Sequence, residues 1–63
     1  MTILKRTRLA TGTTEDIPET DPLFMSELKF LRYLIGQPNI VALCRREAGL
    51  ETLGTRYQLV DVE

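Results

Sequence analysis

The sequence predicts an α+β fold: a small β-α-α-β domain in which a helical hairpin packs on a short antiparallel sheet. Two observations carry that prediction. Residues 21 to 50 hold two apolar-faced segments bent back at Gly36-Gln37-Pro38, and the two ends of the chain have strand composition. A third, the length of 63 residues, limits the chain to one domain spanning 1–63. A chain this short buries only about 60% of the surface its unfolded form exposes, so its stability is marginal.

The N-terminal segment, residues 1–10, is rich in Thr, Ile and Leu, contains neither Gly nor Pro, and reads as a strand. Ile3, Lys5, Thr7 and Leu9 would share one face and Leu4, Arg6, Arg8 and Ala10 the other. Lys5, Arg6 and Arg8 suggest a charged edge that discourages unwanted strand pairing. A stripe touching a partner or a phosphate is the functional counterpart of the same three residues.

Residues 11–21 turn polar and acidic, with Gly12, Glu15, Asp16, Glu19 and Asp21, and Pro18 interrupts them; they read as a loop. The three cations of residues 1–10 and the four acids of 11–21 either attract one another or give the molecule a basic and an acidic side suited to association.

A helix is expected over 22–35. Asp21 is placed to accept from the first free amides, and Pro22 at the first helical position lacks only a donor that would go unpaired. At about 100° per residue, Phe24, Leu28, Leu31 and Ile35 fall within roughly 60° of one another, and Leu23, Phe30 and Leu34 form a second stripe beside them. Glu27 projects between the two stripes. A carboxylate there must reach the rim or a basic partner, because an unpaired buried charge costs several kcal/mol. Tyr33 sits beyond the apolar arc, next to Ser26 and Lys29.

Gly36 is suited to close this helix in the left-handed conformation, and Pro38 to open a second over 38–48. Ile40, Val41, Leu43, Cys44 and Ala48 recur at helical spacing, with Arg45 and Arg46 near a C-terminal end that Gly49 and Leu50 would finish. Glu51 to Gly54 reads as a turn, and 55–62 as a strand with Tyr57 and Leu59 on one face and Gln58, Val60 and Val62 on the other.

Composition narrows the classes of function. Apolar residues at 43% and charged residues at 27% fit a globular chain, and a net charge of −1 offers no general attraction to nucleic acid or to an anionic membrane. No stretch approaches the roughly 18 apolar residues of a membrane span, and no secretory h-region follows the basic N-terminus, so a cytoplasmic location is expected. The single Cys44 has no partner for a disulfide and reads as a buried thiol.

An enzyme is not expected. There is no His, the acids lie in a polar stretch that would not perturb them, and neither a calcium-loop spacing nor a phosphate loop is present. No cofactor and no metal site is expected either.

What remains is an excess of apolar helix over the elements available to cover it. The expectation is a small protein that acts by protein-protein binding, as a regulator, adaptor or inhibitor of a larger assembly, and that also self-associates as a homodimer. The residues singled out for the partner are Phe24, Glu27, Phe30, Leu31 and Tyr33, with Lys5, Arg6 and Arg8. The alternative class is nucleic-acid binding by a helix-turn-helix-like pair, with Arg45, Arg46 and Arg56 on phosphates.

Overall fold

In the computed structural model, which describes residues 1–62, the chain forms two hairpins of strands separated by two helices. The elements are β1 (Thr2–Arg8), β2 (Thr13–Pro18), α1 (Pro22–Ile35), α2 (Ile40–Arg45), β3 (Leu50–Thr52) and β4 (Thr55–Asp61). All four strands join one antiparallel sheet in the order β2-β1-β4-β3, so the two ends of the chain form its centre. The α+β class, the antiparallel sheet and the helical pair are as the sequence predicts. The sheet is twice as wide as the two terminal strands alone would make it.

The added width comes from two segments read differently in the sequence. Most of the stretch expected as an acidic loop is β2, where only Ile17 is buried. Its polarity is that of an edge strand, and the ladder hides its regularity in charge pairing: Lys5 lies opposite Asp16 and Arg6 opposite Glu15. The first and second segments therefore attract each other, and no separate basic and acidic sides result. Pro18 fits because of its phase. Glu19 donates its amide to the Thr2 carbonyl at 3.0 Å, and alternation along the ladder then turns the Thr14, Asp16 and Pro18 backbone groups outward, where a missing N–H is harmless.

The second addition is β3, which joins β4 through a two-residue turn at Leu53-Gly54. Both residues have positive φ, 52° and 71°, as a type I′ hairpin turn requires. With β2 and β3 on the outside, β1 is a central strand. Lys5, Arg6 and Arg8 therefore do not guard an edge, contrary to the expectation from their charge.

α1 matches the expected residues 22–35. Asp21 accepts from the Leu23 amide at 2.9 Å, and Gly36 ends the helix at φ 72° with its N–H on the Arg32 carbonyl. α2 is shorter than the expected 38–48. Asn39 caps its start by accepting from Ala42, and Arg46 leaves the helix in an extended conformation. Gly49 thus serves another purpose than a helix cap. At φ 73° it lies against β4, where a Cβ would stand 2.8 Å from the Tyr57 carbonyl oxygen.

The helices cover one face of the sheet. Leu4, Ile17, Tyr57 and Leu59 meet Phe24, Leu31, Ile40 and Cys44 in a single core, with Leu28, Ile35, Leu43 and Leu50 packed at its margin. The opposite sheet face carries Ile3, Pro18 and Val60 at one end, then Lys5, Asp16 and Gln58, then Thr7, Thr14 and Arg56.

Candidate protein-docking surface

α1 has two apolar stripes, and the fold uses one of them. Phe24 and Leu31 are buried, with Leu28 and Ile35 half-buried beside them. Leu23, Phe30 and Leu34, one flank further round, keep 41%, 46% and 38% of their surface exposed. Tyr33, on the side of α1 away from the sheet, is 87% exposed. A helix of 14 residues thus presents four large side chains to solvent on one side.

Glu27 lies between Leu23 and Phe30, and its partner is Arg6. The Arg6 guanidinium donates through Nη1 to Glu27 and through Nη2 to Glu15 at 2.8 Å, joining β1, β2 and α1. The Arg6 and Glu27 side chains are 17% and 15% exposed, which places the pair at the core margin, and the Arg6 Nε is buried without a partner. The Glu15 hydrogen bond, followed by the charge of Glu27, raises the Arg6 pKa further, so the guanidinium is a permanent cation. The Glu27 carboxylate is thus paired where it sits. The exposed row along α1 therefore reads as apolar throughout, with a compensated charge set into it.

The residues singled out from the sequence divide accordingly. Phe24 and Leu31 are core and unavailable to a partner as long as the chain stays folded. Arg6 and Glu27 hold α1 to the sheet. Arg8 is mostly exposed, 3.9 Å from Glu15, and Lys5 lies on the opposite sheet face. Phe30 and Tyr33 remain at the surface. Sequence reasoning left out Leu23 and Leu34, although they share the stripe of Phe30; the signal was their spacing, which size of side chain outweighed.

Six more large apolar residues are exposed among the described residues: Met1, Leu9, Met25, Val41, Leu53 and Val62. Met25 and Val41 line a groove between the helices. Leu53 is 76% exposed at the β3–β4 turn, beside Leu9, whose amide donates to the Gly54 carbonyl at 3.0 Å.

Cys44 is fully buried, and loss of hydration pushes its thiol pKa up, away from the thiolate that reactivity needs. Burial, and after it the charge of Glu27, also raises Tyr57. No group of three or more His, Cys, Asp or Glu suited to a metal occurs among the described residues. Among the described residues no helix is long and apolar enough to cross a membrane. For nucleic acid, α2 spans six residues, and two of the three candidate arginines are engaged: Arg45 with Asp61 at 3.6 Å and Arg56 with Glu51 at 2.9 Å. Neither family models, nor curated proteins, nor solved structures match this chain.

Proposed function

We propose that the chain acts by binding protein, through the uncovered row Leu23, Phe30 and Leu34 on α1, and that a second copy of itself is the first occupant of that row. The observation that supports this reading is the row itself: three large apolar side chains left about two-fifths exposed on a helix whose neighbouring stripe, Phe24, Leu28, Leu31 and Ile35, packs on the core.

The spacing favours a two-fold partner. Residues 23, 27, 30 and 34 are separated by four, three and four positions, a pattern that reads the same in both directions. Two copies of α1 packed antiparallel would set Leu23 against the partner's Leu34 and Phe30 against the partner's Glu27. The Glu27 charge is already answered by Arg6, so this arrangement buries no unpaired carboxylate. Tyr33 would lie at the rim, with its hydroxyl in water. Such an assembly is the form in which a small regulator, adaptor or inhibitor would meet a larger one.

Sedimentation equilibrium over a range of concentrations tests this. The native chain is expected to be dimeric at micromolar concentration, and Phe30→Asp or Leu34→Lys to be monomeric with an unchanged far-ultraviolet circular dichroism spectrum. A native chain that is monomeric at all concentrations, and whose interactions with other proteins are indifferent to both substitutions, would remove the proposal.

A further inference from the structure

On the opposite flank of α1 from Leu23 and Phe30, a groove runs between the two helices. Met25, Leu28, Ile40 and Val41 make its floor and Lys29 and Arg32 its rim, around a volume of about 230 Å³. Arg32 and Pro38 also line a second hollow of about 270 Å³ that continues to Gly36 and Gln37 at the end of α1. From Met25 to Gly36 the two extend along α1 for about 17 Å at 1.5 Å per residue, which is three turns of a helix laid alongside. The groove exists because α2 is only six residues long and leaves the flank of the longer α1 uncovered.

Its charge is one-sided. Among the described residues, Arg6, Arg8, Arg45 and Arg56 each have a carboxylate within ion-pair distance; Lys5, Lys29, Arg32 and Arg46 have none, and of these four Lys29 and Arg32 line the groove. Both rim cations are exposed and stand over an apolar floor. That combination selects an occupant with an apolar stripe and carboxylates beside it.

We infer that the α1–α2 groove is a second docking site, distinct from the Leu23–Leu34 row, which takes an acidic amphipathic helix of about three turns. The partner's apolar side chains would enter over Met25, Leu28 and Val41, and its carboxylates would meet Lys29 and Arg32. This site does not depend on self-association, because its residues lie on the other side of α1.

The test is a selection from displayed twelve-residue helical peptides with a fixed apolar stripe and randomised flanking positions. The native chain is expected to enrich peptides with Asp or Glu beside the stripe. The double substitution Lys29→Glu and Arg32→Glu, at exposed positions that leave the fold intact, is expected to weaken those peptides at least tenfold and to shift the enriched flanks towards Lys and Arg. Phe30→Asp should leave their binding unchanged, which separates this site from the row on the other flank. Failure to enrich any peptide, enrichment without acidic preference, or binding indifferent to the charge reversal would each overturn the inference.

Discussion

Arg6 ties three elements of the fold together through one guanidinium. It reaches Glu27 on α1 and Glu15 on β2 from the middle of β1, which a lysine, with one charged nitrogen, would not do with the same geometry. Replacing Arg6 by Leu strands the largely enclosed Glu27 and is expected to cost about 2–3 kcal/mol. Glu27→Ala leaves Arg6 paired with Glu15 and is expected to cost about 1–2 kcal/mol. Urea denaturation of the two single variants and the double variant should show positive coupling, since neither partner is then left alone. Cys44 and Tyr57 make a second prediction, about alkaline pH. Both have folded-state pKa values raised by burial, so the native state holds their protons longer than the unfolded chain does. Stability is then complete below the unfolded thiol value of about 8.5 and falls as pH rises towards the folded one, with a slope no steeper than about 1.4 kcal/mol per pH unit per group. A further decline from Tyr57 begins near pH 10. Thermal unfolding from pH 7 to 11 should show both, and Cys44→Ala should remove the first while lowering the baseline.

Two turns govern the elements, and each holds a residue that obeys or breaks the local rule. Gly49 obeys it: its left-handed φ and its contact with the Tyr57 carbonyl exclude a side chain. Gly49→Ala is expected to cost about 2–4 kcal/mol and to loosen the β3–β4 hairpin, seen as faster amide exchange there. Leu53 breaks the rule, holding φ 52° in a two-residue turn that favours Asn or Gly. Because it is exposed, Leu53→Asn should raise stability by about 0.5–1 kcal/mol in the same denaturation assay. The elements themselves were legible in unequal measure. α1 and its caps were plain, because Asp21, Pro22 and Gly36 are local signals beside a strong helical period. β1 and β4 were plain from composition. β2 was not, because an edge strand with a single buried residue has no hydrophobic alternation to read, and Pro18 looks like a breaker until the ladder's phase is known. α2 was overextended because Ala48 continued the helical spacing while the need to bring Gly49 against β4 lies outside any local pattern.

At the scale of the whole molecule, the sequence showed that some apolar helix would be left over, and misjudged which residues. With two strands expected, Phe24 and Leu31 seemed in need of a partner; with four, the sheet and α2 cover them, and the surplus moves to Leu23, Phe30 and Leu34. Whether a face is core or interface depends on how much sheet lies beneath it, a quantity fixed by long-range pairing and invisible in the helix alone. The same long-range pairing ties the chain's ends together. The N-terminal amine donates to the Val62 carbonyl at 2.8 Å, and Val62 returns a bond to Met1 at 2.7 Å. Met1 and Val62 are thus held side by side. A short Gly-Ser bridge joining the ends, with the backbone opened in the connection between Gly36 and Asn39, would convert the central strand pair into an ordinary hairpin, leave the β1–β2 and β3–β4 hairpins unbroken, and so make the most distant contacts of the fold local. Such a circular permutant is expected to keep the native sheet and to refold faster in stopped-flow experiments than the original chain.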